Sequence, residues 1–182
     1  LREIAKVFEK NPQIFIISDE IYEHINFTNQ HFSIGRIDSL KDRVITVNGV
    51  SKGFAMTGWR VGFIGAPLWI AKACNKIQGQ VTSATCAIAQ KATEEAMKAD
   101  PKEVTNEMKN SFLKRRDLLL EKLNGIKGAK CNIPDGAFYI FPDISYYFGK
   151  TDGKHVINDA NNLCMYLLNT CYVALVSGAP FG

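Results

Sequence analysis

One lysine, Lys52, sits in the run Gly49-Val50-Ser51-Lys52-Gly53-Phe54-Ala55-Met56-Thr57-Gly58-Trp59-Arg60-Val61-Gly62, and Ser18-Asp19-Glu20-Ile21-Tyr22 precedes it. A lysine amine that forms a Schiff base with an aldehyde cofactor needs three partners: an anion for a ring-nitrogen proton, a donor for a ring oxygen, and a fixed cation for a phosphate. Asp19, Tyr22 and Arg60 supply one of each, and Ser51 offers a second phosphate donor on the same loop. This set of side chains describes a pocket for pyridoxal 5'-phosphate. A planar guanidinium at Arg60 offers phosphate the paired donors that an ammonium cannot. Gly53 and Gly58 are expected to let backbone approach the ligand.

These residues must be brought together by the elements around them. Leu1 to Phe8 reads as an amphipathic helix that ends at Asn11-Pro12, because the residue before a proline is driven out of helical geometry. Ile14-Phe15-Ile16-Ile17 is a continuous apolar run, the pattern of a strand covered on both faces in a parallel sheet. Asp19 follows that strand, and ligands of doubly wound sheets bind beyond the carboxyl ends of strands. Arg43 to Asn48 reads as a second strand, with Lys52 in the loop past it. If the two strands are parallel, Asp19 and Lys52 converge at one edge. Val61 to Gly65 reads as a third strand, and the short connection before it favours antiparallel pairing.

Further on, Leu68 to Gln80 and Ala87 to Lys98 are expected to be helical. Asp100-Pro101-Lys102-Glu103 signals the start of a long helix that Gly125 ends. Lys130 to Ile133 and Ala137 to Phe141 read as short strands around Pro134-Asp135-Gly136. A helix near Asn158 to Asn169 and a strand Tyr172 to Val176 follow. The expected class is α/β. Residues 1–100 hold part of a mostly parallel-sheet cofactor domain, 101–125 a connecting helix, and 126–182 a smaller α+β domain.

The 14 residues from Gly49 to Gly62, Asp19-x-x-Tyr22, the Pro67 turn and Pro134-Asp135-Gly136-Ala137-Phe138-Tyr139 together resemble the class I aminotransferases of fold type I. The wording is most similar to the bacterial-type aspartate aminotransferases. The resemblance implies a pyridoxal-phosphate enzyme that moves an amino group from an L-amino acid, aspartate, to a 2-oxo acid, 2-oxoglutarate, in ping-pong half-reactions, as a homodimer. In that family the substrate carboxylate is gripped by an arginine beyond the point where this chain stops, and further cofactor contacts precede its start. The resemblance therefore implies a piece of a longer polypeptide, inactive alone. Another aminotransferase of the same fold type, for aromatic amino acids or alanine, is one alternative. A noncatalytic α/β interaction domain is another, and a dinucleotide-binding dehydrogenase is disfavoured by the glycine spacing of Gly58-x-x-x-Gly62-x-x-Gly65.

The chain of 182 residues is 46% hydrophobic with a formal charge of +4, and its 22 basic residues are interspersed with 18 acidic ones. No basic stripe suggests nucleic acid, and no apolar run suggests a membrane span. The five cysteines, at 74, 86, 131, 164 and 171, lack metal-ligand spacing, so no metal is expected. Reduced thiols and the lack of a signal peptide lead to the cytoplasm as the expected location. His24, His31 and His155 have no partner at metal or catalytic spacing and are read as loop or surface groups. Arg115 and Arg116 are read as the solvated face of the long helix, and Gly136, Ala137 and Phe138 as a turn and core strand.

Overall fold

The computed structural model describes residues 1–181. The chain divides into two compact units, one of residues 1–111 with 135–137 and one of residues 112–134 with 138–181. The first unit is built on a three-stranded sheet in the order β1 (Ile16–Asp19), β2 (Val44–Gly49), β3 (Gly62–Gly65). β1 and β2 run parallel, with Asp19 opposite Val47, and β3 pairs antiparallel to β2 with Gly62 opposite Gly49. This is the expected topology. The ladder runs one bond past β1, because Glu20 N–H donates to Val47 O at 2.8 Å.

Helix α1 (Arg2–Glu9) packs Ala5 onto the sheet, where Ala5, Ile16, Ile34, Leu40 and Val44 form a buried core flanked by Phe8 and Ile37. Leu40 is fully buried at its centre. Leu40→Ala should therefore cost about 2–5 kcal/mol, as transfer and cavity terms add, and a urea midpoint measurement checks it. Arg43 ties the frame together. Its guanidinium donates to Phe8 O at 2.7 Å, Asn11 O at 2.9 Å and Ile14 O at 3.0 Å, satisfying carbonyls at the end of α1 and pinning the approach to β1 against the start of β2.

The other face of β1 differs from expectation. Ile17 is 73% exposed, and Ile14 and Phe15, expected in the strand, precede it and are exposed. An apolar run signals a strand buried on both faces, but among the described residues the core covers one face only.

Helices α2 (Leu68–Val81) and α3 (Ala87–Lys98) lie where they were expected. Helix α4 (Pro101–Asn124) starts as Asp100 predicts, with Asp100 Oδ1 accepting from Lys102 N–H at 2.8 Å. It ends where Gly125 N–H turns back to Lys122 O at 3.2 Å. The division between the two units falls inside α4, between Ser111 and Phe112.

In the second unit, α5 (Ala160–Cys171) is capped by Asp159, whose carboxylate accepts from Asn162 N–H at 2.7 Å. The strands expected at 130–133, 137–141 and 172–176 do not form. Lys130 makes one antiparallel bridge to Asp143, and Gly136 bridges Asn26 within the first unit. A strand exists only through a ladder, and Pro134 and Pro142 each lack the N–H that would extend one. Arg116 also departs from its expected solvated position: its side chain is 18% exposed and donates to Pro134 O at 2.9 Å.

Candidate cofactor site

Asp19 closes β1 at its carboxyl end. Its side chain is exposed and Oδ1 accepts from Ile21 N–H at 3.2 Å, which turns the chain sharply into residues 20–25. Tyr22 follows in that turn, half-buried. Asp19 and Tyr22 line an open cleft of about 400 Å³ with Ser18, Glu20, His31 and Gly136 among its walls. Its floor is joined by backbone bonds from Phe27 N–H to Asp135 O at 2.8 Å and from Ala137 N–H to Ile25 O at 2.7 Å. The structure thus brings Asp135, Gly136 and Ala137 to the Asp19 turn, within the first unit.

Lys52 lies half-buried in the loop directly beyond β2. Val50, 1% exposed, roots the loop, and its carbonyl accepts from both Phe54 N–H and Met56 N–H at 3.3 Å. Lys52 O accepts from Ala55 N–H at 3.3 Å. Because β1 and β2 are parallel and in register, Asp19 and the Lys52 loop leave the sheet at the same edge. Ser51 and Lys52 are not among the walls of the cleft that holds Asp19 and Tyr22. Arg60 stands farther along at an exposed position, its Nη1 donating to Thr57 O at 2.8 Å.

Two non-glycine residues of this loop, Ala55 at φ 53° and Arg60 at φ 55°, occupy the left-handed region. Such conformations cost free energy, and they concentrate where a loop is shaped for binding. The two glycines expected to admit a ligand differ from each other, and only Gly53 departs from that expectation. Gly58 has open space where a Cβ would stand, whereas a Cβ on Gly53 would come within 2.7 Å of His24 Cδ2. Gly53 is thus small to let His24 pack on it. Gly49 is small for another reason: a Cβ there would lie 2.8 Å from Val61 O across the sheet.

Sequence reasoning missed the polar cluster behind the Asp19 turn. Glu20 is 9% exposed, and its carboxylate accepts from Ser33 Oγ at 2.7 Å and Ser18 Oγ at 3.0 Å and pairs with His31 Nε2 at 2.9 Å. Ser33 also accepts from Gly35 N–H at 3.2 Å, capping a short 3-10 turn. Glu23 stands beside His24 Nε2 at 3.3 Å and His31 Nε2 at 3.9 Å. His24 and His31 are therefore tied to carboxylates rather than being plain loop groups, and His155 is similarly paired with Asp152 at 3.2 Å. The local signal was only the clustering of Glu20, Glu23, His24 and His31. The separation of Glu20 from His31 follows no helical or strand period.

Burial opposes ionisation of Glu20, but the hydrogen bonds from Ser33, His31 and Ser18 outweigh it and hold its carboxyl below the usual glutamate range. A depressed folded-state pKa stabilises the fold above the unfolded value, and that stability is lost as pH falls through the folded value. The urea midpoint should therefore drop on acidification below the glutamate range. In Glu20→Gln, that part of the drop should be absent.

Among the described residues, no group of three or more His, Cys, Asp or Glu side chains could hold a metal ion, and none of the five cysteines is in a disulfide. Among the described residues, no helix is long and apolar enough to cross a membrane.

The chain matches the family described as "Aminotransferase class I and II" over residues 1–182. It belongs to the class I and II aminotransferases. The aminotransferase chain is 45% identical to a "Bifunctional aspartate aminotransferase and glutamate/aspartate-prephenate aminotransferase" of Petunia hybrida, all of this chain aligning with 39% of that protein. It is 42% identical to an "Aspartate/prephenate aminotransferase" of Cereibacter sphaeroides, all of it aligning with 46% of that protein. Among solved structures, the aspartate aminotransferase of Rhizobium meliloti superposes with a TM-score of 0.91 at 38% identity, over all of this chain and 46% of the other. The aromatic aminotransferase of Pyrococcus horikoshii superposes with a TM-score of 0.87 at 36% identity, over all of this chain and 46% of the other. The chain thus spans less than half the length of these relatives. The fold is that of the fold-type I transferases, and the family depends on pyridoxal phosphate.

The residues present fit that cofactor. An exposed carboxylate at a strand end, a phenol in the turn that follows it, a half-buried lysine on a rooted loop and an exposed arginine match a ring nitrogen, a ring oxygen, an aldehyde and a phosphate in charge and donor type.

Proposed function

We propose that the polypeptide carrying this chain is a pyridoxal-phosphate-dependent aminotransferase that takes the amino group of aspartate and passes it to a 2-oxo acid. The observation that carries this reading is the parallel register of β1 and β2. It sends Asp19 and the Lys52 loop off the sheet at one edge. Relatives named for aspartate support the donor. The acceptor is 2-oxoglutarate, and names that add prephenate point to a second acceptor of the same 2-oxo class. The protein works as a cytoplasmic homodimer, alternating two half-reactions.

Bound pyridoxal phosphate supplies an electron-accepting ring conjugated to an aldehyde carbon. Asp19 carries the anion that keeps the ring nitrogen protonated, because an adjacent opposite charge favours the charged form. Tyr22 donates its phenol proton to the ring oxygen. Arg60 and the Ser51 hydroxyl bind the phosphate, the first by paired charge-assisted bonds. Lys52 Nζ would hold the cofactor at its aldehyde carbon, and as a free amine it would take up or give back the proton of the substrate α-carbon.

Specificity is tested by steady-state transamination with aspartate, alanine and phenylalanine as donors and 2-oxoglutarate as acceptor. Aspartate should show the highest kcat/KM. A higher value for alanine or phenylalanine would move the assignment to another member of the family.

A further inference from the structure

We propose that Glu23 and Asn48 form a latch that fixes the spacing between the Asp19–Tyr22 turn and the Lys52 loop; this rests on the roles given above to Asp19 and Lys52. Asn48 Nδ2 donates to Glu23 Oε1 at 2.8 Å, and Asn48 Oδ1 accepts from Gly49 N–H at 2.7 Å. A carboxylate only accepts and a backbone N–H only donates, so the two neighbours fix which way the Asn48 amide faces. Glu23 is part of the turn that begins at Asp19, and its N–H donates to Glu20 O at 3.0 Å. Asn48 is the penultimate residue of β2, just before the chain enters the Lys52 loop.

A second contact lies on the far side of Lys52. His24 packs on Gly53 and meets the Phe54 ring edge-on at 5.4 Å between centroids. The turn therefore grips the lysine segment before and after Lys52. The buried Glu20, held by Ser18, Ser33 and His31, keeps the turn itself from shifting. Glu23 and Asn48 are positioning residues. They hold the anion and the amine at a set separation, and a half-buried hydrogen bond to a charge does this more rigidly than loop backbone alone.

The latch can be broken and rebuilt. In Asn48→Asp two carboxylates face each other across the former bond, while the oxygen that accepts from Gly49 N–H is kept. In the double variant Glu23→Gln with Asn48→Asp, the new amide donates to the new carboxylate and the bond re-forms in reverse. Glu23→Gln alone keeps an oxygen to accept from Asn48. Each protein, as the complete polypeptide, is titrated with pyridoxal phosphate for its dissociation constant. The pH midpoint of the bound cofactor's visible absorption band and the melting temperature of the cofactor-free form are also measured.

Asn48→Asp should bind about tenfold more weakly and move the band midpoint. Glu23→Gln should remain within about threefold of the unsubstituted protein, and the double variant should return to that range in both readouts. Wild-type-like binding and midpoint in Asn48→Asp would overturn the latch, whatever its melting temperature. So would a double variant no better than Asn48→Asp. The unsubstituted protein is read first: failure to bind pyridoxal phosphate there would refute the functional reading itself, not the latch alone.

Discussion

Replacing Lys52 by alanine should lower transamination by at least about 10²- to 10⁴-fold, the range expected when a positioned general acid–base is removed, with covalent anchoring lost as well. The fold should survive. Lys52 is half-buried, and the loop that carries it is rooted by Val50 and closed by backbone bonds to Val50 O, none of which needs the amine. The melting temperature of the cofactor-free variant should thus stay near that of the unsubstituted protein. Steady-state rates with aspartate, taken beside that melting curve, separate loss of chemistry from loss of structure. A variant that retained full turnover would remove Lys52 from the mechanism.

Replacing Asp19 by asparagine should lower turnover by about 10²- to 10³-fold, comparable with removing one preorganised electrostatic partner from an active site. The substitution is informative because the asparagine oxygen can still accept from Ile21 N–H, the bond that shapes the turn. Only the charge is lost. A neutral partner no longer favours the protonated ring, so the effect should fall mainly on kcat, and binding through Arg60 and Ser51 should persist. Equal activity in the asparagine variant would show that the carboxylate does no more than build the turn.

These residues were legible in the sequence because their signals are local. Lys52, Ser51 and Arg60 lie within one short run, and the apolar residues before Asp19 marked a strand whose carboxyl end is where ligands bind. The antiparallel β3 was legible for a similar reason, since the residues that separate it from β2 are barely enough for a crossover. What stayed hidden depends on contacts that sequence distance does not encode. Glu20 meets His31 and Ser33 only after the turn folds back, and Glu23 meets Asn48 only once β1 and β2 are in register.

Gly53 shows the same limit on a smaller scale. Within a glycine-rich loop it reads as room for a ligand, and in three dimensions that room is filled by His24. The second unit was misread where apolar runs were taken as strands, because alternation cannot show whether a ladder partner exists. Among the described residues, isolated bridges between Lys130 and Asp143 and between Thr151 and Val156 form there instead of ladders. The two-sided burial inferred for β1 failed likewise: Ile17 is apolar, yet among the described residues it stays largely exposed.

The most direct test is to load the complete polypeptide with pyridoxal phosphate, reduce it with borohydride and map the modified peptide by mass. The adduct should sit on Lys52, and no adduct should form at that position in the Lys52→Ala variant. An adduct on a different lysine, or none at all, would contradict the assignment of Lys52 and the site built around it.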